Sequence, residues 1–302
     1  MPGDAKTQTI GFLGFGEAGL AFARGLMGDN PGLSICAYDI KTDHPATRPA
    51  MLDRMAAQGV RAHERAGDLA GCDLVFSLVT ADQAGAAAGA LALADLAGVS
   101  VLDCNSCAPE TKRANAALIN AAGGTYLDMA VMAPVHPRLH RTPCLLSGAN
   151  ATALAARLNG LSMATQVAGD AVGLASTRKM VRSIMVKGIE ALTVECMLAA
   201  RKAGVEEAVL ASLADTFPGI NWAERAPYMI ERAITHGTRR AAEMDEVAKT
   251  VRDLGLAATM AEATATRQRD TGALGLNADA IGAGDLAALT DAMLAAIKAG
   301  KA

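Results

Sequence analysis

The opening stretch fixes more about this chain than any other part of it. Thr9-Ile-Gly-Phe-Leu13 is a short apolar run, a strand by type, and it meets Gly14-Phe15-Gly16-Glu17-Ala18-Gly19 at once. An Ala/Leu/Phe-rich helical pattern follows from Leu20 to Met27, Asp29-Asn-Pro-Gly32 breaks it, and Leu33-Ser-Ile-Cys-Ala-Tyr-Asp39 is the next strand. A lone Gly-x-Gly-x-x-Gly in a Gly-rich chain means little. Placed after a strand and at the head of a helix, inside a unit of about 30 residues, it predicts dinucleotide binding.

Each residue of the loop has a reason. Gly14 permits the tight turn, Gly16 has no Cβ to keep a pyrophosphate from the backbone, and Gly19 lets helix and strand pack closely. The helix N-terminus offers free N–H groups and a partial positive charge to phosphates, so Gly14, Phe15, Gly16, Glu17 and Ala18 are the expected cradle. Asp39 lies about 20 residues past Gly19, at the strand end, where a carboxylate accepts ribose hydroxyls and repels a 2′-phosphate. NAD is the expected cofactor, with NADP left possible by the nearby Lys41.

The strand–helix alternation continues. Met51 to Gln58 reads as a helix. Val60-Arg-Ala-His63, Asp73 to Val79, Val99 to Asp103, Thr125 to Asp128, Cys144 to Ser147 and Met163 to Ala168 read as strands, with helices from Pro109 to Ala122 and from Ala151 to Leu158. This order predicts a Rossmann-type α/β domain with a parallel, doubly wound sheet over residues 1–170. Ligands of such sheets sit at the carboxyl ends of the strands, which gathers the Gly loop, Val79, Thr80, Asn105 and Ser106 around one crevice. After Gly169 the strand signals stop. Residues 171–302 are expected to form an all-α domain of helices at 173–204, 206–216, 222–236, 239–254, 257–271 and 285–298.

The helix from Gly173 to Gly204 joins the two parts and would span roughly 45 Å. Its periodicity puts Lys179, Arg182, Ser183, Lys187 and Glu190 on one side and Val181, Ile184, Met185 and Leu192 on the other. Such a helix can link two domains and wall a cleft between them. The plainer alternative is a solvated polar stripe.

Length and charge exclude several functions. The chain has 302 residues, enough for two domains, and a net charge of −3 without a Lys/Arg cluster, which speaks against nucleic acid and anionic membrane as partners. No apolar run reaches spanning length, and Met-Pro-Gly-Asp-Ala-Lys lacks a signal-peptide apolar region. Six Cys in a chain of this size suggest a reduced, cytoplasmic protein. Cys104-Asn-Ser-Cys107 has metal or redox spacing but no second pair beside it, so no metal is expected.

The layout resembles the β-hydroxyacid dehydrogenases, the family of 3-hydroxyisobutyrate and 6-phosphogluconate dehydrogenases. Ile10 to Gly19 is similar to the family's N-terminal signature. Asp103-Cys-Asn105-Ser106-Cys-Ala-Pro109 is similar to its Asp-x-Ser-Thr-x-x-Pro segment. Gly173-Leu-Ala-Ser-Thr-Arg-Lys179 is similar to the segment carrying the catalytic lysine. The resemblance implies hydride transfer between a nicotinamide cofactor and a small, anionic 3-hydroxy acid. Lys179 would be the general acid/base, and Asn105 and Ser106 would orient the substrate. Arg182, Ser183 and Lys187 would contact the substrate, with an ion pair between this face and Glu190 as the rival reading. Three departures stand out: Met132 occupies a place where the family has a substrate-binding Ser, Ser183 replaces an expected Asn, and Val186 stands where the decarboxylating branch has an acid, which speaks against oxidative decarboxylation unless Glu190 takes over. Imine reduction on the same architecture, or a non-catalytic dinucleotide sensor, are the alternatives.

In the C-terminal part, His236, Arg239, Arg240 and Glu243 cluster at helical spacing, either as a second anion site or as an interface. Trp222 reads as core or dimer interface, and His136, Arg138, His140 and Arg141 as a solvated loop. A homodimer is expected.

Overall fold

The computed structural model describes residues 8–300; the opening Met1 to Lys6, read above for a leader, lies outside them. Eight strands form one sheet: β1 (Thr9–Leu13), β2 (Ser34–Tyr38), β3 (Arg61–Ala62), β4 (Leu74–Ser77), β5 (Ser100–Asp103), β6 (Thr125–Val131), β7 (Pro143–Ser147) and β8 (Ala164–Gly169). Their order is β3-β2-β1-β4-β5-β6-β7-β8. Helices α1 (Glu17–Asp29), α2 (Arg48–Ala56), α3 (Ala84–Leu91), α4 (Pro109–Ala121) and α5 (Ala151–Gly160) connect them. The order reverses at β1, between β2 and β4, which is the switch point where open α/β sheets bind ligands.

β1 to β6 are parallel, as the alternation predicts. β7 departs from that expectation, pairing antiparallel with β6, and β8 then runs parallel to β7. The reason is the connection. A parallel return needs a crossover of a dozen or more residues, usually a helix. Between Val131 and Pro143 the chain makes only a 3-10 turn at Leu139–Arg141, so it folds back beside the strand it has left.

Alternate strand residues feed two cores. Phe12 and Phe76 stack at 5.5 Å with Phe15 and Phe22 edge-on to them. Leu13, Val75, Val101 and Ile119 belong to the other core. Because period two sends neighbours to opposite faces, one short apolar run serves both.

The chain divides into two compact units between Met180 and Val181. The border falls inside helix α6 (Leu174–Ala203) rather than at its start. The first turn of α6 belongs with the sheet because its N–H groups bond there, Ser176 to Asp128 Oδ2 at 2.8 Å and Ala175 to Ser147 Oγ at 3.0 Å.

The second unit holds the remainder of α6, with α7 (Glu206–Thr216), α8 (Trp222–Asp253), α9 (Thr259–Ala273), α10 (Ala278–Ile281) and α11 (Leu286–Lys298). Two expected helices, 222–236 and 239–254, are one continuous α8. Gly237 is not a break but the contact point with α9. A Cβ there would lie 2.4 Å from Gln268 O and 2.8 Å from Gly272 N, and one on Gly272 would lie 2.6 Å from Thr238 N. Val194, Met197, Ile230, Ala233, Leu289 and Met293 form this unit's apolar core. Among the described residues no helix is long and apolar enough to cross a membrane.

Candidate active site

One row of residues runs across the sheet near its carboxyl edge. Leu13 pairs with Ser77, Ser77 with Asp103, Asp103 with Asp128, and Asp128 with Ser147. Parallel register puts the Asp103 and Asp128 side chains on one face, close together. Two buried carboxylates so placed need a cation. Lys112 of α4, fully buried, supplies it. Its Nζ donates to Asp103 Oδ1 at 2.9 Å and to the Asp103 carbonyl at 2.6 Å, and stands 3.4 Å from Asp128 Oδ1. Asp103 also accepts from Tyr126 Oη at 2.7 Å and Asn115 Nδ2 at 3.1 Å. Burial works against the Asp103 carboxylate, yet Lys112 and these donors outweigh it and hold the carboxyl below its usual range. Burial likewise opposes the Lys112 ammonium, and the two carboxylates overcome it and keep it charged.

On the rim of this network stands the expected catalytic lysine. Lys179, partly buried, donates from Nζ to Ser106 Oγ at 2.6 Å. The buried thiols of Cys104 and Cys144 sense its charge. Burial pushes both thiols up, Cys144 to about 12, so neither offers Lys179 a negative counter-charge.

Asn105 is buried, and its amide is engaged within the protein. Oδ1 accepts the Val79 N–H at 2.7 Å, and Nδ2 donates to Ser77 Oγ at 3.0 Å. The side chain staples the end of β4 to the end of β5, so it shapes the crevice in which Val79 and the exposed Thr80 lie.

The glycine loop fits a dinucleotide on three observations. Gly14 has φ +94°, and a Cβ on it would sit 2.5 Å from Leu78 O, so only glycine serves there. Gly19 would bring a Cβ within 2.6 Å of Gly14 O. At Gly16 a Cβ would meet nothing within 4 Å, which leaves that stretch of backbone open to a phosphate. Gly16 caps α1 without a side-chain bond, leaving the first-turn N–H groups of Glu17 and Ala18 directed outward. Phe15 is the exception in the expected cradle: its ring is fully buried in the core, and its N–H donates to Asp39 Oδ2 at 2.7 Å. Asp39 accepts the Lys41 N–H on Oδ1 at 3.0 Å. Expected to meet ribose, it therefore also ties the glycine loop to the end of β2.

In the helical unit the expected substrate contacts are dispersed. Arg182 is exposed, whereas Ser183 is buried. Lys187 is buried and paired with Glu243 Oε2 at 2.7 Å, and Arg239 reaches Glu243 Oε1 at 2.5 Å. Glu190 pairs with Arg240, not with Lys187. Ser183, Lys187 and Glu190 of the polar stripe are thus buried, the last two because α8 presents matching charges. Val181 and Met185 on the apolar side are 46% and 64% exposed, which reverses the solvated-stripe reading. Burial lowers Lys187 below the usual lysine range, against the pull of Glu243. Trp222 is partly exposed and packs edge-on to Phe217 at 6.2 Å. His140 departs from its solvated-loop expectation: it is buried, 3.0 Å from Asp29 Oδ2, against α1 where a Cβ on Gly25 would strike its ring. No group of three or more metal-ligating side chains occurs among the described residues.

Sequence reasoning missed Lys112, Asp128, Ser147 and Tyr126. A signal was present: Asp103 and Asp128 both end apolar runs, so adjacent parallel strands would bury two like charges and require a cation nearby.

Comparisons with known proteins bear on the family and the fold. Residues 9–173 match the NAD-binding domain of 6-phosphogluconate dehydrogenase, and residues 200–271 match a domain of unknown function. A conserved hypothetical protein from Sinorhizobium meliloti is 37% identical, with 95% of this chain and 97% of that one covered and a TM-score of 0.72. A conserved protein of unknown function, described as structurally similar to 3-hydroxyacid dehydrogenases, is 28% identical over 87% of this chain and 97% of that one, with a TM-score of 0.66. The 3-hydroxyisobutyrate dehydrogenase of Mycobacterium tuberculosis shares the fold at 17% identity, covering 95% and 99%, with a TM-score of 0.70. With more than half its length matched to that nucleotide-binding domain, the chain belongs to the family of proteins built on the NAD-binding domain of 6-phosphogluconate dehydrogenase.

Proposed function

We propose that this protein is an NAD(P)-dependent oxidoreductase that moves hydride between nicotinamide and a small, anionic 3-hydroxy acid, with Lys179 as the acid/base group. The observation that carries the reading is the Lys179–Ser106 hydrogen bond of 2.6 Å at the carboxyl end of β5. It lies on the same sheet edge as the open glycine loop. When bound, the nicotinamide ring supplies the hydride acceptor or donor. The protein's task is the proton. In the oxidation direction Lys179 Nζ takes the proton from the substrate hydroxyl, and in reduction it returns it. Ser106 Oγ holds the amine in place and presents a hydroxyl to the substrate. Asn105, by fixing the two strand ends, keeps Ser106 in register with Val79 and Thr80. Asp39, a carboxylate at the end of β2, favours NAD over NADP.

Replacing Lys179 by Ala tests the assignment. NADH binding should persist, while turnover of a 3-hydroxy acid should fall by about 10²- to 10⁴-fold, the usual worth of a positioned acid/base group. A panel of hydroxy acids, with and without phosphate or sulfonate, identifies the substrate to use. Undiminished turnover would take Lys179 out of the mechanism, and reduction of imines but of no keto acid would favour the imine-reductase reading. We further infer a homodimer, supported by the exposed Val181, Met185 and Leu192 along α6. A monomer mass in sedimentation velocity would refute it.

A further inference from the structure

Lys112 is the one fully buried lysine in the described chain, and no step above uses it. Its two ion-pair partners lead to the two halves of the site. On one side, Asp103 Oδ1 accepts the N–H of Asn105 at 3.0 Å, and Ser106 is the next residue. On the other, Asp128 Oδ2 accepts the N–H of Ser176 at 2.8 Å, and Ser147 Oγ is 3.3 Å from the same oxygen and accepts the N–H of Ala175 at 3.0 Å. Ser176 lies one helical turn before Lys179. The Ser106 loop and the start of α6 therefore each hang on a carboxylate, and a single ammonium clamps both carboxylates together.

We propose that Lys112 is a positioning residue, bridging Asp103 and Asp128 so that Ser106 and Lys179 meet. This rests on the reading of Lys179 as the acid/base group and extends it to a residue in the sheet–helix interior. Without the bridge, no charge ties Asp103 to its β6 neighbour across the β5–β6 register. Both elements they anchor then lose their fixed separation. Misplacement of about 1 Å at reacting groups costs about 100-fold in rate, so a residue that never touches substrate can control turnover.

The test uses the full chain and two readouts. In the double variant Lys112→Met/Asp128→Asn one cation and one anion leave together, so the net charge of the cluster is kept. Acetic anhydride labels neutral amines, and mass spectrometry reads each lysine separately. Lys179 in the double variant should label at the rate seen in Ser106→Ala and not at the wild-type rate. The exposed Lys202 and Lys298 should label as in wild type. With a substrate in hand, kcat should fall about 100-fold while the NADH dissociation constant stays within about twofold. Lys179 labelling at the wild-type rate in the double variant would overturn the proposal. So would wild-type labelling in Ser106→Ala, because the pair would then not exist in solution. Failure of the charge-balanced variant to fold would also overturn it, since Lys112 would then be supporting the domain and not the pair. Labelling needs no turnover, so loss of the dehydrogenase reading and loss of this one are separate outcomes.

Discussion

Alanine at Gly237 should destabilise the helical unit, and alanine at Gly188 should stabilise it. Both glycines lie inside long helices, where replacing Gly by Ala gains about 1 kcal/mol in helix propensity. Their surroundings differ. At Gly188 a Cβ would lie 3.8 Å from Thr264 Oγ1, an ordinary contact, so the gain is kept. At Gly237 the methyl would press on the backbone of α9 at three atoms, Gln268 O at 2.4 Å and Gly272 N and Cα at 2.8 and 2.9 Å. Backbone cannot rotate away as a side chain does, so the two helices must separate. Overpacking of this severity costs about 3 kcal/mol, the upper part of its usual range. Set against the propensity gain, the net loss is about 2 kcal/mol. The two alanines should thus differ by about 3 kcal/mol and in sign. Trp222, the one tryptophan of the chain, opens α8 and reports unfolding of this unit. With a urea slope of about 2 kcal/mol/M, the midpoint should fall by about 1 M for Gly237→Ala and rise by about 0.5 M for Gly188→Ala. A Gly237→Ala protein as stable as wild type, or two alanines with equal effects, would refute the packing argument.

Two further outcomes follow from the sheet unit. Gly16→Ala adds a methyl where nothing lies within 4 Å, so stability should change by less than about 0.5 kcal/mol. NADH affinity should nevertheless fall by about tenfold or more as the backbone is screened from the pyrophosphate, and titration by fluorescence checks this; unchanged affinity would place the phosphates elsewhere. Asp103, held below its usual range, stays ionised in the folded protein at a pH where the unfolded chain takes up a proton, near 3.9. Its contribution to stability is complete above that unfolded value and is lost as pH falls through the lower folded one. Asp103→Asn should therefore flatten the acid limb of a stability–pH curve from urea unfolding, and an acid limb identical to wild type would contradict the depressed carboxyl.

The parts legible in sequence are those set by local rules. The glycine loop and the parallel order of β1 to β6 depend on short patterns, and both are legible. The pairing of Lys179 with Ser106 joins two segments whose motifs were both visible. The direction of β7 was not legible, because it depends on what the connection lacks. Gly237 looked like a stop signal, since in one dimension a helix break and a close crossing share the same residue. Nothing in Thr111-Lys112-Arg113 marks Lys112 as buried, and only the register of β5 against β6 shows why it is inside. The polarity of α6 is hidden in the same way: Lys187 and Glu190 face inward because α8 carries Glu243 and Arg240, and no local window contains both helices.

The double hold of Asp39 on Phe15 and Lys41 bears on any attempt to retune coenzyme choice. Exchanging this acid for a neutral or basic residue would release the glycine turn as well as remove a charge. Such a variant would lose grip on both dinucleotides before it discriminated between them. Selectivity is better redirected from side chains around this acid, leaving the latch itself closed.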